Sequence, residues 1–286
     1  MNRQSLTDDA IPSMLRAVSQ VVGMLSEEDL ASGFSSEVNA PLLQLIGIRA
    51  GATQAARVTP TNISLWRDIV SQTGIEALQK QFSRSRVIPF SDWTDVQRAA
   101  DLWYGFLADV IRPLARNDWE FIFYLGNPVS RHFFDVDEIL DVMGSFAHSG
   151  NVTLALDERE AWGVWSVLFG GKDVPEFGME DADAKGRYRA LFQTLDVRRL
   201  IVYSQTNASL IMEDSYFEVT RPPVPAHMHH GHERDKFIEG YASGLKIGME
   251  PSHCLLLGIA TAGSIAGAEP AKAVVERFLA GWANSI

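Results

Sequence analysis

Apolar positions along this chain recur at two spacings, one helical and one of period two or unbroken. Ile11, Met14, Leu15, Val18, Val21, Val22 and Leu25 fall at helical intervals and predict one amphipathic helix over residues 8–30. Ser26-Glu27-Glu28-Asp29 reads as a start signal for a short following turn. Residues 33–39 and 46–52 are glycine-rich and aperiodic, and predict loop and helix packed on the rest. From residue 59 the alternation sharpens. Helical spacing predicts helices over 64–70, 75–82, 95–114, 135–148, 158–169 and 181–195. Short apolar runs predict buried strands over 86–93, 120–125, 151–156 and 199–203, the first with its core at 86–90. Strands and helices alternating at these lengths imply parallel βαβ units with helices on both faces of one sheet. Segments 208–212 and 216–219 read as two short strands around Glu213-Asp214-Ser215, an antiparallel excursion before the Pro-rich stretch 221–225.

The last third is the most ordered. A helix is expected to begin near Arg234 and Asp235, with Phe237, Tyr241 and Leu245 on one side and Gly240 and Gly244 beside them. Gly248 followed by Pro251 reads as a stop and restart. A more apolar helix over 252–265 carries the small residues Gly258, Ala260, Ala262 and Gly263. A boundary near 56–61 separates a mainly helical N-terminal segment, 1–56, from an α/β core, 57–286.

Composition narrows the function. The 286 residues can bury a sizeable core, and 46% hydrophobic with 21% charged residues is ordinary for a soluble globular protein. A net charge of -11 argues against nucleic-acid or anionic-membrane partners. The single cysteine, Cys254, lies in an apolar helix and reads as inert core, which suits a reducing cytoplasm. No uninterrupted apolar run is long enough to span a bilayer, so the expected location is cytoplasmic.

The pattern Asp235-x-Phe-x-x-Gly-Tyr-x-x-Gly-Leu-x-x-Gly248, followed by Leu255-x-x-Gly-x-Ala-x-x-Gly263, resembles the C-terminal signature of the PfkB (ribokinase-like) carbohydrate kinases. Together with the order of elements, the resemblance covers about residues 62–280. It implies a ribokinase-like layered α/β fold, ATP and Mg2+ as cofactors, a sugar or nucleoside ligand, and room for a homo-oligomer. In that family a Gly-Ala-Gly-Asp turn opens the first of these helices. Its amides hold the transferred phosphoryl group and its Asp is the base for the acceptor hydroxyl, which places Asp235 as the base here. His232, Glu233 and Arg234 stand where the family has Gly-Ala-Gly.

The same resemblance assigns the remaining site residues. Asp157 and Glu160 hold the family's Asn-x-x-Glu position, which organises water and magnesium, and they also read as a helix capping box. Ser204, Thr206 and Asn207 follow the fourth strand where the family has a glycine-containing turn against the nucleotide; no glycine is present here, and although Asn207 can adopt the left-handed region, close backbone approach to phosphate is disfavoured. Ala260 and Gly263 fall on the adenine side, or serve helix packing, and Arg234 compensates at the phosphate. Asn127 and Tyr124 are uncharged where relatives carry acidic residues. His227, His229, His230 and His232 crowd beside Glu233 and Asp235, in a loop that could take zinc or nickel or merely face solvent. Neither the family's Asp-bearing first strand nor its β-lid is legible in residues 1–56; residues 33–38 are the nearest echo. The expected function is a PfkB-like sugar kinase by ancestry with weak or lost activity. The alternative is a catalytically degenerate ligand- or partner-binding protein on the same scaffold.

Overall fold

The computed structural model describes residues 4–5, 10–26, 65–90, 93–96, 98–126, 128–170, 183–204, 206–222, 230–263 and 271–285. The expectations for residues 33–39, 46–52, Asn127, His227 and His229, and the boundary at 56–61, lie outside these. Strands β1 (Gln4–Ser5), β2 (Val87–Pro89), β3 (Trp119–Phe123), β4 (Gly150–Asp157), β5 (Arg199–Tyr203), β6 (Asn207–Ile211) and β7 (Ser215–Thr220) form one sheet in the order β1-β7-β6-β5-β4-β3-β2. Strands β2 to β5 are parallel in register, with Ile88 opposite Phe121, Phe121 opposite Val152 and Leu154 opposite Leu200. The excursion β5–β6–β7 is antiparallel, as its spacing predicts. β1, which the sequence pattern does not reveal, adds parallel to β7.

The helices are α1 (Ile11–Met24), α2 (Trp66–Thr73), α3 (Ile75–Phe82), α4 (Ala99–Phe106), α5 (Phe133–Ser145), α6 (Glu158–Phe169), α7 (Ala184–Thr194), α8 (His230–Lys246), α9 (Pro251–Gly263) and α10 (Ala271–Ala283). The strand side chains alternate between two cores. Phe121, Phe123, Leu154, Leu156, Leu200 and Val202 face α2 to α7. Ile122, Tyr124, Ala155, Ile201 and Tyr203 face α1 and α8 to α10. Coverage on both faces explains why these strands read as unbroken apolar runs. The N-terminal helix belongs to the same body: Lys272 of α10 donates to the carbonyls of Gly23 and Leu25 at 2.8 Å each, capping α1.

Two expected elements differ. The helix expected over 95–114 is broken. Trp93–Asp95 is a tight turn, Arg98 sits in the left-handed region (φ 53°), and α4 passes at Leu107–Ile111 into a wider π turn and at Arg112–Leu114 into a tighter one. At the C-terminal end the cause is Pro113, which has no N–H for the Asp109 carbonyl four residues back. Gln79 Nε2 takes that carbonyl instead at 2.8 Å, while Trp66 Nε1 donates to the Asp109 carboxylate at 2.6 Å. The strand expected over 86–93 is shorter, Val87–Pro89, with the Phe90 amide still donating to the Ile122 carbonyl at 2.7 Å. The second difference is that α8 begins at His230, one turn before Arg234.

A buried polar cluster crosses the amino ends of β3 to β5. Arg199 pairs with Glu120 at 2.6 Å, and Asn151 Nδ2 donates to the other Glu120 oxygen at 2.9 Å. No helix among the described residues is long and apolar enough to cross a membrane.

Candidate functional site

At the opposite, carboxyl ends of the same strands a second polar group assembles. Tyr124 directly follows β3, Asp157 ends β4, Tyr203 ends β5, and Arg234 comes from the first turns of α8. In open α/β sheets this edge is where ligands bind.

Asp157 and Glu160 build a complete capping box at the start of α6. Asp157 Oδ1 accepts from the Glu160 amide at 2.7 Å, and Glu160 Oε2 accepts from the Asp157 amide at 2.9 Å. The other Glu160 oxygen, Oε1, accepts from Arg234 Nη1. Both side chains are largely out of water, with 5% of Glu160 and 17% of Arg234 exposed. The guanidinium lies over the Tyr124 ring, 5.1 Å from its centroid, a geometry that favours a cation. Tyr203 stacks on Phe237 of α8 with centroids 5.0 Å apart, and its buried hydroxyl has no hydrogen-bond partner among the described residues. Burial, then the Glu160 carboxylate, push that hydroxyl well above the ordinary tyrosine range, while Arg234 acts in the opposite sense. Tyr203 therefore stays a neutral donor beside an ion pair.

The start of α8 determines what its amides can do. Only the first few N–H groups of a helix are free of the ladder. With His230 as the first helical residue, the amides of Arg234 and Asp235 lie beyond them. The stretch 232–234, which stands where the family has its Gly-Ala-Gly anion hole, is thus wound into helix, and Asp235 stands partly buried in the second turn.

The turn expected against the nucleotide is closed on itself. Ser204 Oγ accepts from the amides of Thr206 (3.1 Å) and Asn207 (2.9 Å), and the Ser204 amide donates to the Asn207 carbonyl at 2.8 Å. Arg221 braces it, its guanidinium donating to the Ser204 carbonyl and its amide to that of Thr206 at 2.6 Å. Asn207 does not adopt the left-handed region; it opens β6, its backbone held by Ser204. The small residues of the helix pair are filled by protein. A Cβ on Gly258 would lie 2.9 Å from the Phe237 carbonyl, and one on Gly263 would enter the Phe278 ring of α10. Ala260 is fully buried.

The structure therefore brings Asp157, Glu160 and Arg234 into direct contact, with Asp235 next in the chain. Ser204, Thr206 and Asn207 form a separate hairpin turn after Tyr203. Tyr203 is the residue that sequence reasoning did not place in the site; Tyr124, expected there as an uncharged residue where relatives carry acidic ones, lies beneath the Arg234 guanidinium. Its signal was faint: an amphipathic tyrosine closing an otherwise apolar strand.

Residues 59–282 match the family model described as Khk, prokaryotic ketohexokinase. Among solved structures, the chain is similar to a protein described as a ribokinase II from E. coli (14% identity, 74% of this chain and 63% of that one, TM-score 0.51). It is also similar to adenosine kinase from Sinorhizobium meliloti (17% identity, 66% and 51%, TM-score 0.50) and ribokinase from Thermotoga maritima (16% identity, 71% and 59%, TM-score 0.49). The chain thus spans between half and two thirds of the length of those proteins. No curated protein sequence matches it.

Ribokinase-family kinases use ATP with Mg2+. The carboxylates of Asp157 and Glu160, as arranged, do not fit that ion. Three of their four oxygens are already engaged, two by backbone amides and one by Arg234. Magnesium demands an octahedral oxygen shell and enters through one or two available carboxylates. No group of three or more His, Cys, Asp or Glu able to hold a metal occurs among the described residues.

Proposed function

We propose that this chain, which belongs to the prokaryotic ketohexokinase family of PfkB-like carbohydrate kinases, binds a ketohexose-type sugar at the carboxyl ends of β3 to β5, with Asp235 as base, and that phosphoryl transfer from ATP there is weak or lost. The carrying observation is the position of α8. Its helical start at His230 commits the amides of Arg234 and Asp235 to the ladder. Preorganised donors aimed at developing charge are usually the largest single contribution to such catalysis. Glu233, on the same turn, adds a negative charge in the sequence where a polyphosphate would sit. The buried Tyr203 hydroxyl, which has no hydrogen-bond partner among the described residues, supports retained binding of a polar ligand, since such a group is costly unless something meets it.

The test pairs calorimetric titration with fructose against a coupled assay of sugar phosphorylation by ATP and magnesium. The expected result is saturable sugar binding with undetectable or very slow transfer. Robust transfer that disappears in Asp235→Asn would establish a working kinase and overturn the loss. Absence of binding by any ketohexose would overturn the sugar site.

A further inference from the structure

We propose that the face made by α5, α6 and α7 docks a second copy of this chain, with the acidic α5 of each protomer lying on the basic α7 of its partner about a two-fold axis that runs along α6. This surface lies outside the sugar site and does not rest on the proposed function.

The residue types along the three helices carry the argument. α5 bears Asp135, Asp137, Glu138 and Asp141 and no cation. All four carboxylates are exposed, and none is in an ion pair among the described residues. α7 bears Lys185, Arg187 and Arg189 and no carboxylate, an exception on a chain of net charge -11. Lys185 stays 58% exposed even though it pairs with Glu218. α6 lies between these two helices and touches both. Beyond its first turn, from Ala161 to Phe169, it carries no charge. Trp162, Trp165 and Phe169 are the large side chains of its less buried side, with the Arg187 guanidinium 5.9 Å from the Trp165 ring centroid. Phe134 at the head of α5 and Phe169 at the tail of α6 remain 66% and 46% exposed. An aromatic centre flanked by charge is the anatomy of a protein interface.

The order of the helices selects the symmetry. All three pack on the same side of the sheet and run against the strands: α5 and α6 leave the carboxyl ends of β3 and β4, and α7 leads into the amino end of β5. A two-fold axis across the helices would lay α5 on α5 and α7 on α7, like charge on like. An axis along α6 instead lays each α5 on the partner's α7 twice over, and sets the two aromatic α6 helices together. Three helices about 18 Å long and about 10 Å apart present about 500 Å2 per partner before corrugation, the low end of specific interfaces, so the dimer is reversible in the micromolar range.

The experiment is sedimentation velocity of the full chain over low to high micromolar concentrations. The wild type is expected to pass from monomer to dimer, and about 0.5 M NaCl should weaken that association. Asp137→Lys/Glu138→Lys/Asp141→Lys makes both faces basic, and Lys185→Glu/Arg189→Glu makes both acidic. Each variant alone should associate at least about tenfold more weakly than wild type. Mixed in equal amounts the two should associate again, because every reversed helix then meets the opposite charge. A wild type that stays monomeric throughout, a dimer indifferent to both reversals, or variants that do not associate when mixed would each overturn the proposal. Should a reversed chain fail to fold, Phe169→Glu, at an already exposed position beside the axis, decides instead: it should abolish the wild-type dimer, and a dimer that survives it refutes this face. No readout involves sugar or nucleotide, so failure here is distinct from failure of the proposed function.

Discussion

Replacing Glu160 by Gln removes one charge from the Glu160–Arg234 pair and little else. The Gln carbonyl can still accept from the Asp157 amide, and Asp157 still caps the Glu160 position, so the box survives. The cost is therefore that of removing the carboxylate from a guanidinium of which 17% meets water. Breaking a buried pair from one side costs about 3–5 kcal/mol. Residual hydration of Arg234 puts this case below that range, at about 2–3 kcal/mol. Arg234→Met removes the cation from a Glu160 carboxylate at 5% exposure and should cost about 3 kcal/mol. The double variant removes both charges of the pair together. Its loss should fall well short of the sum, with a coupling of about 2 kcal/mol. Urea unfolding with linear extrapolation measures all three against wild type, provided the slopes agree. Single losses that simply add, within about 0.5 kcal/mol, would show that the two side chains do not form an energetic unit.

Gly263→Ala should destabilise by about 1–3 kcal/mol, because its Cβ would enter the Phe278 ring and force α9 from α10; a melting temperature equal to wild type would refute the packing role. Cys254, buried between α8 and α9, has its thiol pushed by burial from 9.0 to about 12. The folded state holds that proton after the unfolded state has lost it. Stability is thus complete below pH 9 and falls between about 9 and 12, by up to about 1.4 kcal/mol per pH unit. Cys254→Ala should flatten that alkaline slope, and an unchanged slope would count against it.

Much of the architecture was legible in the chain, and the reason lies in how it is buried. Trp119–Phe123, Gly150–Asp157 and Arg199–Tyr203 are covered on both faces, so they appear as unbroken apolar runs whatever surrounds them. Gly248 ends α8 with φ 78°, as a glycine before Pro251 implies. The Asp157–Glu160 box is legible because its partners are three residues apart. What local pattern could not supply was anything made by residues far apart in sequence. The π turn at Leu107–Ile111 follows from Pro113 together with Gln79, which reaches a carbonyl thirty residues away. β1 is two residues long and exists because β7 offers it an edge. Arg234 looked like a substitute for a lost glycine until the tertiary structure set it on Glu160, 74 residues earlier, with Tyr124 beneath it. Periodicity records which side of an element is dry; which charge meets which is decided only when parallel strands bring their carboxyl ends to one edge.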